Sequence, residues 1–143
     1  MGVPSWTDTL GLPPAERYVI VLVDGLGYDL LAEHADAAPY LAGLLDREPL
    51  LSGLPSTTAT SLTSLGTGLP PGRHGVVGYT SRIPGTDRVM NSLRWDPQVD
   101  PSQWQPYPTM FERIDAAGIP TSAVNKAEFE GSGLTVCSQG GVP

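Results

Sequence analysis

The chain has one cysteine, Cys137, and two histidines, His34 and His74. A single cysteine excludes an intrachain disulfide, so a reducing compartment is permitted. Basic residues are scarce: eight Lys and Arg stand against fifteen Asp and Glu, a formal net charge of −7. That balance argues against non-specific nucleic-acid binding and against a polybasic membrane anchor. Without a basic groove, Trp95, Trp104 and Tyr107 read as packing residues and not as a platform for stacked bases. Long apolar runs are missing too. The longest, residues 18–23, is far too short to span a bilayer. The opening residues lack the basic and apolar regions of a secretory signal. The expected location is the cytoplasm, with no membrane partner. No segment repeats at a fixed period, and no low-complexity tract is present.

What is present fits a globular protein. Of 143 residues, 40% are hydrophobic and only 16% charged, enough apolar material for one modest core. Gly (17) and Pro (15) are abundant and predict many turns and long structured loops. Residues 138–143, Ser-Gln-Gly-Gly-Val-Pro, suggest no closing helix or strand, which points to a chain that stops inside a larger domain.

Taken in order, residues 1–17 read as a polar lead-in. The run Tyr-Val-Ile-Val-Leu-Val at 18–23 suits a strand buried on both faces of a parallel sheet. Asp24-Gly25 breaks it at the carboxyl edge, where open α/β sheets place ligands. A helical turn or two is predicted over residues 28–33. A second helix starts near Pro39, with Tyr40, Leu41, Leu44 and Leu45 at helical spacing and Pro49 as its end. Residues 50–54 form a weaker candidate strand.

Next comes a hydroxyl-rich stretch, Pro-Ser-Thr-Thr-Ala-Thr-Ser-Leu-Thr-Ser-Leu-Gly-Thr-Gly over residues 55–68. It reads as the entry to a short helix, with Ser56, Thr57 and Thr58 all eligible as cap. Free backbone N–H groups and the helix dipole at such an end favour an anion. Residues 76–108 read as an irregular excursion, with a small hairpin strand near residues 88–93 and a segment pinned by aromatics from Trp95 onward. Thr109 and Glu112 make a capping box for a helix whose buried stripe is Met110, Phe111, Ile114 and Ala117; Gly118 ends it. Residues 121–125 are a third candidate parallel strand. Gly25-Leu26-Gly27 is no dinucleotide fingerprint, because Leu30 stands where a third glycine belongs. Cys137 is expected to be inert.

From Asp24-Gly25 through Pro55-Ser-Thr-Thr58 to Thr67-Gly68 and His74-Gly75, the chain resembles the type I phosphodiesterase/nucleotide pyrophosphatase family of the alkaline phosphatase superfamily. Residues 129–135 also look like a segment of bacterial relatives. The resemblance covers most of residues 18–135. It implies an α/β fold with a mainly parallel sheet flanked by helices, alkaline-phosphatase-like and truncated at the C-terminus. Residues 1–143 would be the N-terminal portion of a single catalytic domain.

The resemblance further implies metal-dependent hydrolysis of phosphoric esters, diesters or nucleotide pyrophosphate bonds first, with Thr58 as nucleophile. Two divalent metal ions, usually zinc, would act, and Asp24 and Thr58 would be ligands of one. The substrate would be a small phosphorylated molecule. Many family members carry Phe-Pro-Asn-His after the nucleophile; this chain has Ala59-Thr-Ser-Leu62, with Ser61 in the place of an asparagine that contacts the phosphoryl group. Ser61 is therefore the candidate substrate-binding residue. The family's remaining ligands, including several histidines, have no counterpart here: His74 matches the family's non-ligand His-Gly, and His34 reads as a solvent-facing helix residue. The expectation is an inactive 143-residue chain that forms part of an active enzyme. Alternatives are a non-catalytic protein that binds phosphate or a partner, a phosphomonoesterase or phosphonate hydrolase of the same superfamily, and a metal-free Ser or Thr hydrolase. The last lacks a Gly-x-Ser-x-Gly elbow.

Overall fold

The structure, a computed structural model, describes residues 10–45 and 48–142. The chain divides into two compact units, Met1–Asp46 and Arg47–Pro143.

In the first unit Asp24 and Gly25 form a turn, with Gly25 at φ +74°, a conformation that glycine adopts without the Cβ clash. Helix α1 (Tyr28–Glu33) follows, as its sequence predicts. Helix α2 (Pro39–Ala42) begins with proline at N1 but is capped by Ala38 and stops at Gly43, well short of Pro49. Its expected apolar stripe stays open, and Tyr40 and Leu44 are exposed. The lead-in is irregular over residues 10–17, and the rest of it lies outside the described residues.

The second unit carries the core. Helix α3 (Thr58–Thr67) is entered through a cis Leu54–Pro55 peptide and closed by Gly68 in the left-handed region. Helix α4 (Pro71–His74) starts on proline and ends at Gly75, also left-handed. Strands β1 (Thr80–Arg82) and β2 (Val89–Asn91) pair antiparallel, with Ser81 opposite Met90. This is the small hairpin expected near residue 90; its Met90 is buried. Helix α5 (Pro101–Trp104) follows, capped by Asp100. The aromatic segment is pinned as anticipated: Trp95 meets Trp104 edge to face at 6.1 Å, and its indole N–H donates to the Val99 carbonyl at 2.8 Å.

Helix α6 (Met110–Ala116) has the full capping box: Thr109 accepts from the Glu112 amide and the Glu112 carboxylate accepts from the Thr109 amide. Its stripe is only half-buried at Met110, Phe111 and Ile114, and Ala117 is exposed. A 3-10 turn (Ala127–Phe129) leads to helix α7 (Gly133–Gln139), which runs into the stretch thought to hold no helix. Its sequence, Gly-Leu-Thr-Val-Cys-Ser-Gln, has weak helix propensity, so packing and the Ser132 cap must supply what composition does not.

The expected strands at residues 18–23, 50–54 and 121–125 do not form. Among the described residues the only sheet is the β1–β2 hairpin, and no parallel pairing occurs. Their large apolar residues stay open: Val19 is 87%, Leu51 96% and Val124 100% exposed. A strand needs a neighbour for its backbone hydrogen bonds, and none pairs with these runs among the described residues. Residue choice supplies the tendency and long-range pairing decides the outcome.

The core lies instead between α3 and α7. Ala59, Val76 and Leu134 form its apolar centre, flanked by Leu62 and Trp104. Around them are buried hydroxyls, each satisfied locally: Thr63 donates to the Ala59 carbonyl at 2.8 Å, Thr67 to Thr63 at 2.6 Å and Ser138 to Leu134 at 2.8 Å. A hydroxyl that bonds its own preceding turn can be buried without an unpaired polar atom. Small side chains then let the helices touch. A Cβ on Gly66 would fall 1.7 Å from the Ser138 carbonyl oxygen. A Cβ on Gly133 would fall 2.1 Å from the Trp95 ring.

Candidate functional site

Three residues eligible as cap in the sequence resolve into distinct positions. Thr57 is the N-cap of α3: it has extended backbone, and its Oγ1 accepts from the Thr60 amide at 3.3 Å and donates to Thr60 Oγ1 at 3.0 Å. Thr58 is the first helical residue and is half-buried. Ser56 lies outside the helix and is exposed. The cap role therefore falls to Thr57 and leaves the Thr58 side chain at the positive end of the helix dipole.

Ser61 lies three residues on, half-buried, on the same side of the helix as Thr58. Its amide closes the first helical hydrogen bond to the Thr57 carbonyl at 2.9 Å. The buried face of α3 is Ala59, Thr60, Thr63, Gly66 and Thr67. Thr58 and Ser61 thus sit on an end whose opposite side is locked against α7.

Asp24 belongs to the other unit, in the turn after residues 18–23, and is exposed. The structure brings Thr58 and Ser61 together on one helix; Asp24 is described within its own unit. Among the described residues no three His, Cys, Asp or Glu side chains gather into a group able to hold a metal ion. The carboxylate of Asp24 and the hydroxyl of Thr58 are oxygen donors suited to hard or borderline cations. These two alone do not make up a metal centre.

Two further groups pack behind α3: His74, which the sequence marks through its His-Gly match, and Gln105, which has no clear signal there. His74 is fully buried and joins α4 to α3: its Nε2 lies 2.9 Å from Ser64 Oγ, and its Nδ1 accepts from the Val76 amide at 3.1 Å. Burial holds its pKa below the ordinary 6.5, so the ring is neutral at pH 7. The buried Gln105 donates through Nε2 to the carbonyls of Tyr107 and Cys137, both at 2.9 Å, and ties α7 to the aromatic segment. Cys137 is buried. Burial, with a smaller contribution from the Asp100 charge, pushes its thiol up to about 12, and its Sγ–H points to the Pro101 carbonyl at 3.5 Å. A surface depression of about 560 Å³ lies between Arg94, Trp95, Pro101 and Gly133; no residue of α3 lines it.

A helix that presents a threonine at its first position, capped by the residue before it, is the kind of end that receives a phosphoryl group. Over residues 18–137 the chain matches the family model described as Type I phosphodiesterase / nucleotide pyrophosphatase. It belongs to that family, whose name is that of phosphodiester- and pyrophosphate-cleaving hydrolases. No curated protein and no solved structure matches the chain. No helix among the described residues is long and apolar enough to cross a membrane.

Proposed function

We propose that the full-length protein hydrolyses phosphoric diesters or nucleotide pyrophosphate bonds of a small phosphorylated substrate, with Thr58 as nucleophile. The observation that carries this reading is the position of Thr58, first in α3 directly after the Thr57 cap, inside a family match that spans residues 18–137. At that end the helix dipole favours the negative charge of a phosphoryl group and of an ionising hydroxyl. Ser61, one turn on, offers a hydroxyl donor to a phosphoryl oxygen.

A threonine hydroxyl is a weak nucleophile unless a base or metal activates it. Two divalent ions, zinc by the chemistry of the resemblance, would supply Lewis acidity to the attacking and leaving oxygens when bound. Of the residues in this chain, Asp24 and Thr58 are the proposed contributors. The remaining ligands are proposed to lie in the rest of the full-length protein, and the 143-residue chain by itself to be inactive. That part rests on the sequence, whose only histidines are His34 and His74. It equally suits a non-catalytic protein that holds phosphate at the same helix end, which is the second reading. Phosphomonoester and phosphonate cleavage remain the enzymatic alternatives.

The test uses a chromogenic phosphodiester with zinc. Full-length protein is expected to turn it over, and Thr58→Ala to lower kcat/KM by about 10³-fold or more. The 143-residue chain is expected to give no turnover. Full activity in the Thr58→Ala protein would exclude the nucleophile assignment, and turnover by the short chain would exclude the division of the site. Phosphate binding without any turnover by the full-length protein would select the second reading.

A further inference from the structure

His74 holds two partners whose demands fix its chemistry. The Val76 amide can only donate, so Nδ1 must present a lone pair to it. A neutral imidazole then carries its proton on Nε2, and that N–H donates to Ser64 Oγ on α3. One uncharged ring, fully buried, thus joins α4, the residue after the Gly75 turn and the lower half of the helix that opens with Thr58.

We infer that His74 is a proton-sensitive latch: neutral, it fastens α3 to the α4 turn through Ser64 and Val76 at once, and a proton on Nδ1 turns the Val76 contact into donor against donor and releases Val76 beside the Gly75 turn. The surroundings offer an imidazolium no compensation. Helix α3 carries no charged residue, and the one charged residue on α4 is Arg73, whose guanidinium lies over the Tyr107 ring at 5.7 Å. Residues 75–79, α5 and α7 carry no Asp, Glu, Lys or Arg. Asp100, at the cap of α5, is hydrogen-bonded to Ser102. Burial without a counter-charge opposes the charged form and lowers the pKa. The sign follows from that direction. The unfolded chain takes up the proton first, so the latch contributes fully above 6.5 and its contribution is lost as pH falls through the lower folded value. Val76 belongs to the apolar centre with Ala59 and Leu134, so release at Nδ1 reaches the core directly. The latch needs only His74, Ser64 and Val76, whatever Thr58 does.

The test uses the 143-residue chain with His34→Gln, a change at an exposed residue of the other unit that leaves His74 as the sole histidine. Nitrogen NMR at pH 7.5 is expected to show Nε2 protonated and Nδ1 bare. On acidification, protonation of His74 should coincide with a fall of roughly tenfold in the hydrogen-exchange protection of the Val76 amide, the loss of one hydrogen bond. In a second variant, His74→Gln, the amide side chain can still donate to Ser64 but cannot titrate, and Val76 protection should not change over the same pH range. A ring protonated on Nδ1 at pH 7.5 overturns the latch. So does Val76 protection that is unchanged through the His74 titration, or the same pH-dependent loss in His74→Gln. If His74→Gln does not fold, the His34→Gln titration alone decides. Because neither readout involves turnover, failure here is distinct from failure of the Thr58 assignment.

Discussion

The two units invert the usual relation between apolarity and burial. The first holds the most hydrophobic run of the chain, residues 18–23, yet none of its described residues is buried. The second builds its core around a helix of Thr, Ser, Ala, Leu and Gly, five of whose ten residues are buried. Fully burying a Val or Leu contributes about 1.5–3 kcal/mol, but at 87% exposure Val19 realises almost none of it. Helix α3 succeeds with poorer material because its hydroxyls bond their own carbonyls and its glycine admits α7 to backbone contact. An apolar side chain has a capacity for burial; a fitting surface is what uses it.

That contrast can be broken at three sites. The largest effect is expected from Gly66→Ala, since a methyl group at 1.7 Å from the Ser138 carbonyl oxygen forces two helices apart. A loss of about 3 kcal/mol or more, or failure of the second unit to fold, is expected in urea denaturation followed by tryptophan fluorescence. Wild-type stability in this variant would mean that the α3–α7 contact is not what holds the core. A smaller effect is expected from Thr57→Ala, which removes the cap bond to Thr60 at the other end of α3 and should cost about 1 kcal/mol in the same assay. The smallest is expected from Val21→Thr in the exposed run, a change of less than about 0.5 kcal/mol in the same transition. A cost above about 1 kcal/mol there would show that residues 18–23 are covered, and the contrast between the units would fall.

The features legible in the sequence are those with a local cause. The Asp24-Gly25 turn, the helix after it, the Thr109–Glu112 capping box, the hairpin near Met90 and the helix entered at Thr58 all follow from residues a few positions apart. The parallel strands failed because pairing is set by distant segments that composition does not name. Helix α7 was hidden for the opposite reason: its glycine and β-branched residues speak against a helix, and the Ser132 cap, the Trp95 ring against Gly133 and the contact with α3 explain why they suit one. The hydroxyl pattern marked the start of a helix, but three residues could have been its cap. The hydrogen bond to Thr60 selects Thr57. The Ser64–His74 pair joins residues ten apart across two turns of different kind, a spacing with no periodic signature.

The contact of Gly66 with Ser138 also sets an order of events during synthesis. The two residues stand near opposite ends of the second unit, and each helix is the other's seat. Domains emerge from the ribosome N-terminal end first. Helix α3, with Thr58 at its head, must therefore wait, its backbone uncovered at Gly66, until α7 has been made. The residue proposed to do the chemistry is among the early ones translated in its unit and among the last to be fixed in place.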